Sequence, residues 1–353
     1  MRITSLLALL CLTNLAFAAD VPPASGDKIV SPDAKLELLF TRTADIKGGL
    51  TEGPAVAPDG SIYFSDIPLG KDDGMILRFD PATKKTTVFT KDSKKANGLI
   101  FTSDGALIAC EGSDIGGQAV SEWNVKTGER KVLTDRYRGK RYNAPNDACL
   151  DREGRIYFTD PRYLGDEPRE LEHRAVYRID KDGTVIEVTH DIVKPNGIDI
   201  TRDGKMLIVV DHDNGVDKID SSKPAPKLGV QQIVAFPLGA DGKVNGKRKV
   251  LVDFGDKVGC DGICVDDLGH IYLTLRDLSR PGVSVIDTTG KEVAFIPTGP
   301  ENQKPAAGQS PIGIPSNVEF GIGKESHVLY VTVDVSLFRI PLKVQGYHVQ
   351  YAK

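Results

Sequence analysis

A short apolar run, a polar turn containing glycine, and a second apolar run rich in Ile, Tyr, Phe and Val recur along this chain. Glu52-Gly53-Pro54 leads into AVAPDGSIYFSD, Asn97-Gly98 into LIFTSDGALIACE, Asn146-Asp147 into ACLDREGRIYFTD, Asn196-Gly197 into IDITRDGKMLIVVD, and Asp261-Gly262 into ICVDDLGHIYLTL. Each unit predicts a β-hairpin whose turn glycine (Gly60, Gly105, Gly154, Gly204, Gly269) supplies a positive φ. After Asn317, the stretch VEFGIGKESHVLYVTV gives a sixth, degraded hairpin with a longer turn. Units begin roughly 45 to 65 residues apart, the length of a four-stranded propeller blade and longer than a leucine-rich or ankyrin unit. The pattern therefore predicts an all-β chain, a six-bladed β-propeller spanning residues 35–353.

The ends of the chain read differently. Met1-Arg2, the apolar stretch Leu6 to Leu12 and Ala16-Phe17-Ala18 form a leader over residues 1–18, with cleavage expected after Ala18 and export to the periplasm or the medium. The apolar run is too short to span a bilayer, and no later segment is long enough, so a membrane is not an expected partner. Residues 19–34, rich in Pro, Ser, Asp and Gly, read as a flexible lead-in, and KLELLF from Lys35 as a first strand. That strand is expected to pair near Leu337 to Val344 and close the ring, since a terminal strand completing the last blade removes an open edge.

Composition narrows the function classes. The formal net charge is −4, about −5 once Arg2 leaves with the leader, which excludes electrostatic capture of nucleic acid. Cys110, Cys149, Cys260 and Cys264 remain after the leader. Cys260 and Cys264 sit four apart on one extended strand, about 13 Å, beyond the reach of a disulfide, and buried free thiols are expected.

The chemistry lies in the phase of the repeat. Glu52, Asn97, Asn146, Asn196 and Asp261 each stand eight residues before a turn glycine, and Asn317 heads the degraded unit. An Asn-Gly pair taken singly marks a turn, but turn residues have no reason to share a phase with Glu52 and Asp261. Opening the innermost strand of each blade, these side chains should converge on one end of the central channel. Carboxylate and carboxamide oxygens in that arrangement suit Ca2+ or another divalent cation of hard character, not zinc. Glu52, Asn146, Asn196 and Asp261 are the expected metal ligands. Asn97 and Asn317, with Asn146, are the expected substrate contacts at the rim. Asp66, Glu111, Asp160 and Asp211 recur where the second runs end and read as hairpin-end hydrogen bonders or as supports for the ligands. His190 and His212 could form an acid–base pair. The insertions Tyr163 to Arg174 and Asp213 to Pro237 could shape the entrance or simply connect strands.

Glu52-Gly53-Pro54, Pro145-Asn146-Asp147 with Tyr157-Phe158-Thr159-Asp160-Pro161, Pro195-Asn196-Gly197 and Cys260-Asp261-Gly262 resemble the motifs of the gluconolactonase and regucalcin (senescence marker protein) family. The resemblance covers nearly all of the chain after residue 45. It implies a six-bladed propeller with a divalent cation, usually calcium, and hydrolysis of a small lactone or related ester. It implies Glu52, Asn196 and Asp261 as metal ligands and Asn146 as ligand or substrate contact. The cation would polarise the lactone carbonyl, and Asp261 would activate the attacking water or, if the metal acidifies that water, only orient it. Where the sugar-lactonase branch carries an arginine two residues before the Asn, this chain has Ala144, which puts an aldonolactone substrate in doubt. A phosphotriesterase-like hydrolase and a non-catalytic binding propeller with a structural cation are the other classes open to such a site.

Overall fold

The computed structural model describes residues 24–42, 49–67, 74–219, 222–302 and 313–352. The leader, 1–18, lies outside them. Among the described residues the chain forms six four-stranded antiparallel sheets and one short two-stranded ribbon, with only 3-10 turns as helix. Blade one opens with Leu50–Val56, blade two with Ala96–Phe101, blade three with Ala148–Leu150, blade four with Pro195–Ile200, blade five with Cys260–Val265 and blade six with Pro315–Phe320. Each of these innermost strands touches its two neighbours, and the sixth touches the first, so the ring closes around a central channel.

The second runs read as nearly continuous apolar stretches because both faces of a blade are covered. In Met206–His212, Leu207 and Val209 pack toward blade three while Ile208 and Val210 pack toward blade five. The core is accordingly six wedges, one between each pair of adjacent blades. Edge-on aromatic pairs fill them, such as Tyr63 with Phe101 at 5.1 Å and Tyr272 with Phe320 at 5.1 Å. The turn glycines adopt the expected positive φ, Gly60 at 83° and Gly204 at 74°.

Closure occurs as expected. Glu37–Thr41 pairs antiparallel with Ser336–Pro341 as the fourth strand of blade six, with Glu37 opposite Arg339 and Thr41 opposite Ser336. The lead-in departs from its composition. From Ala24 on it is packed rather than loose: Ser25 exchanges backbone hydrogen bonds with Phe295, and Ile29 and Val30 are buried in the wedge between blades five and six. Two adjacent aliphatic residues give this otherwise polar segment an apolar surface to bury. Cys110, Cys149, Cys260 and Cys264 are buried free thiols.

Candidate functional site

Five of the innermost strands, those of blades one, two, four, five and six, carry an irregularity of register near their start. In blade four Pro195 pairs with Asp211 and Ile198 with Val209, so three steps on the inner strand oppose two on its partner. Blades one, two and five slip in the same way between Glu52 and Ala55, Ala96 and Leu99, and Cys260 and Ile263. Such a bulge turns side chains away from the ladder: Asn97, Asn196 and Asp261 lie inside theirs, while Glu52 stands at the edge of its own, opposite Ser65. Asn146 holds the matching place in blade three, its N–H donating to Thr159 O at 2.9 Å. All five line one cavity of about 240 Å³ at one end of the channel.

The glycine that follows each released residue is dictated by crowding at the axis. A Cβ on Gly197 would stand 2.4 Å from the Asp261 carbonyl oxygen, and one on Gly98 would stand 2.2 Å from Asp147 Oδ1. Hydroxyls on the second strands lace neighbouring blades at this level: Ser65 Oγ donates to Asn97 O at 2.8 Å and Thr274 Oγ1 to Ser316 O at 2.9 Å.

Asn317 does not reach the cavity. In blade six Pro315 pairs with Val333 and Val318 with Val331, so the residue in phase with Asn196 is Ser316, whose Oγ donates to Thr51 O at 2.7 Å. Asn317 falls in phase with the glycines and points down the channel, where its Nδ2 donates to Asp147 Oδ2 at 3.3 Å. The longer turn of blade six breaks the count from the turn glycine, which is why the sequence places Asn317 one residue out. Burial lifts the Asp147 carboxyl to about 7 and likewise Asp199, deeper in the channel, to about 7.

Within the cavity the carboxylates differ. Glu52 is 3 % exposed. Its Oε2 accepts the Gly53 N–H at 2.9 Å, and no described residue donates to its other oxygen. Burial, and next the charge of Asp261, hold its carboxyl well above the usual range. Asp261 is held by Arg276, whose Nη1 donates to Oδ2 at 2.8 Å. Asn196 donates from Nδ2 to Tyr163 Oη at 3.1 Å, which leaves its amide oxygen for the cavity. Among the described residues no three His, Cys, Asp or Glu side chains gather into a metal cluster. The set here is two carboxylates and two carboxamides instead, all-oxygen, with one buried carboxylate lacking a cationic partner of its own. That donor chemistry fits a hard divalent cation.

Arg276 and His212 are site residues that the sequence reading missed in this role. Both stand one residue beyond the position of Asp66, Glu111, Asp160 and Asp211, and Ile67 and Gly112 from the same phase also line the cavity. Carrying the register argument one residue further along the second strand would have found them. The acids themselves are structural. Asp160 accepts the N–H groups of Asn143 and Ala144, and Asp211 those of Val193 and Lys194, fixing the approach to Asn146 and Asn196. Asp66 pairs with Arg42, and Glu111 with Arg130. His212 Nδ1 lies 2.9 Å from Cys260 O, so the ring donates there, its lone pair sits on Nε2, and burial lowers its pKa. It has no partner in His190, which is exposed on the far side of the blade and stacks on His173 at 4.4 Å.

Both insertions shape this end of the channel. The Ile219 N–H donates to Tyr163 O at 3.0 Å, Tyr163 Oη donates to His212 O at 3.0 Å, and Lys218 pairs with Asp166 at 2.6 Å, which fastens the two loops into one wall.

The chain is similar in sequence and fold to known proteins. Residues 50–334 match the family described as SMP-30/Gluconolactonase/LRE-like region. A gluconolactonase of Zymomonas mobilis is 25 % identical over 340 residues, covering 91 % of this chain and 85 % of its own length. The structure of a gluconolactonase from Xanthomonas campestris superposes with a TM-score of 0.71 at 25 % identity, over 92 % of this chain and 96 % of its own. Regucalcin from Agrobacterium tumefaciens, described as a calcium-binding protein, shares the fold with a TM-score of 0.63 at 21 % identity, over 88 % of this chain and 95 % of its own.

Proposed function

The chain belongs to the SMP-30/gluconolactonase/LRE-like family, and from that premise we propose that it is an enzyme that hydrolyses lactones at the channel-mouth cavity, using Ca2+ or another divalent cation. The observation that carries this reading is the convergence of Glu52, Asn146, Asn196 and Asp261, each from the start of the innermost strand of a different blade, on one cavity. Relatives named for lactone hydrolysis, the Zymomonas gluconolactonase and a lactonohydrolase of Aspergillus oryzae 25 % identical over 74 % of this chain and 65 % of its own, support the reaction class.

Those four residues would hold the cation, which when bound supplies a Lewis acid for the substrate carbonyl. The rest is the work of this chain's own side chains. Arg276 fixes one carboxylate oxygen of Asp261, so the other is turned to the cavity to take a proton from the attacking water. The water oxygen bonds to the carbonyl carbon, the ring C–O bond breaks, and the proton passes to the departing alkoxide, giving a hydroxy acid. Asn97, at the edge of the cavity, is placed to hydrogen-bond the substrate. His212 presents a neutral Nε2 acceptor on the same wall. The leader makes export part of the same reading.

A pH-indicator assay over a panel of lactones, esters and phosphotriesters, with and without chelator, tests the proposal. Lactone turnover abolished by chelator and restored by Ca2+ is expected. Turnover of phosphotriesters alone, or of nothing, would reject it.

A further inference from the structure

Four large aliphatic side chains stand in the walls of the cavity. Leu50 and Ile67 face each other as a cross-strand pair at the mouth of blade one, and partners in an antiparallel ladder project to the same face. Leu164 and Ile219 close the opposite side from the two insertions. Leu164 is held in place by its carbonyl, which accepts from Ser113 Oγ, and Ile219 by its N–H bond to Tyr163 O. Ile219 is 52 % exposed in the free protein, an aliphatic side chain left half in water at the lip of a pocket whose floor is polar. Ala144, which also lines the cavity, offers no donor or acceptor from its side chain.

Most polar side chains on these walls already have protein partners, with His212 Nε2 and the Asn97 carboxamide left facing the cavity. Tyr163 Oη accepts from Asn196 and donates to His212 O, Lys95 pairs with Asp114 at 2.8 Å, Asn214 accepts from Lys194 Nζ, and Arg276 is bound to Asp261. A sugar lactone carries a hydroxyl on nearly every ring carbon. Seated on this floor, it would bring those hydroxyls against Leu50, Ile67, Leu164 and Ile219 and lose their hydrogen bonds to water, at about 1–3 kcal/mol for each one left unmet. An alkyl or aryl substituent would bury apolar surface there instead.

Building on the lactonase reading above, we propose that the substrate class is lactones bearing an apolar substituent. The ring carbonyl sits on the floor of Glu52, Asn146, Asn196 and Asp261, and the alkyl or aryl group lies between the blade-one pair and the two insertion loops. Selectivity against polyhydroxylated aldonolactones then follows from the walls and not from the catalytic floor.

The test is kcat/KM for a series of δ-lactones with side chains from none to octyl, alongside glucono-δ-lactone, all with Ca2+ present. The rate constant should climb by up to roughly fourfold per methylene until the chain leaves the walls, with glucono-δ-lactone slowest. Ile219→Ser and Leu164→Ser should each reduce the ratio of the octyl to the unsubstituted value. Ile219 is half exposed, so its variant should melt as the parent does, separating this effect from misfolding. A flat series, or glucono-δ-lactone as the best substrate, overturns this assignment and leaves the lactonase reading standing. No turnover of any member overturns both.

Discussion

Replacing Glu52 by glutamine should have opposite consequences with and without a bound cation. Glu52 is nearly fully buried, and burial together with the charge of Asp261 pushes its carboxyl well above its ordinary 4.5. In the unfolded chain it releases its proton near pH 4.5; in the cation-free fold it does so only at higher pH. Between those two points the unfolded state has lost a proton that the folded state still holds, so stability is greatest below pH 4.5 and falls as pH rises through the window. The loss is about 1.4 kcal/mol for each pH unit within it. Glutamine has the same shape and no proton to lose, so Glu52→Gln should remove that slope. In EGTA at pH 8 the variant should melt above the parent, by about 2 °C for each kcal/mol recovered in a domain of this size. At pH 4 the two should melt together. With the cation present the ranking reverses, because one of two carboxylates facing a dication is gone. Calorimetric titration should show Ca2+ affinity weakened by at least tenfold, since even at an effective dielectric of about 20 a contact charge pair is worth several kcal/mol. A variant that melts no higher than the parent in EGTA at pH 8, or that binds Ca2+ equally well, would refute the reasoning.

Other expectations follow from the same geometry. Asp261→Asn should abolish lactone turnover while the protein still folds and binds the cation; near-normal kcat would remove Asp261 from the reaction. Gly197→Ala forces a Cβ to within 2.4 Å of the Asp261 carbonyl oxygen and should lower both melting temperature, by the equivalent of about 1–3 kcal/mol, and Ca2+ affinity. Gly204→Ala, at a turn with φ of 74° and nothing within 4 Å, should cost about 1 kcal/mol in backbone strain alone and leave Ca2+ affinity intact. Deleting residues 30–42 strips the fourth strand from blade six and Val30 from its wedge, so an unchanged melting temperature would contradict closure by the N-terminal strand. Removal of a leader predicts that N-terminal sequencing of the protein purified from its native cells begins at Ala19; a start at Met1 would contradict it.

The blade count, the hairpins and the meeting of Glu52, Asn97, Asn146, Asn196 and Asp261 in one cavity were legible because one period governs them all. Strand alternation, turn glycine and ring residue repeat in fixed phase, and a bulge at a constant place converts that phase into convergence. What escaped the sequence lay where the period breaks or where a second phase begins. Blade six has a longer turn, so Ser316 rather than Asn317 occupies the ring position. Arg276, and the place of His212 in the cavity wall, belong to the phase one residue past the strand-end acids, and in blade five that phase is masked because Leu275 stands where blades one to four carry an acid. The packing of Ile29 and Val30 depends on a wedge built mainly by blades five and six, from Cys264 to Val344, which local composition cannot register. The roles of the two insertions needed the hydrogen bond between Ile219 and Tyr163, a contact between loops that belong to different blades.

The central claim is that the oxygens of Glu52, Asn146, Asn196 and Asp261 hold a single cation on which lactone hydrolysis depends. Titrating Ca2+ into the chelator-stripped, buffer-exchanged protein while recording lactone turnover tests it most directly. No turnover at the start, a linear rise, and a break at one equivalent per chain are expected. Full turnover in the stripped protein, or a rise that continues through several equivalents, would contradict it.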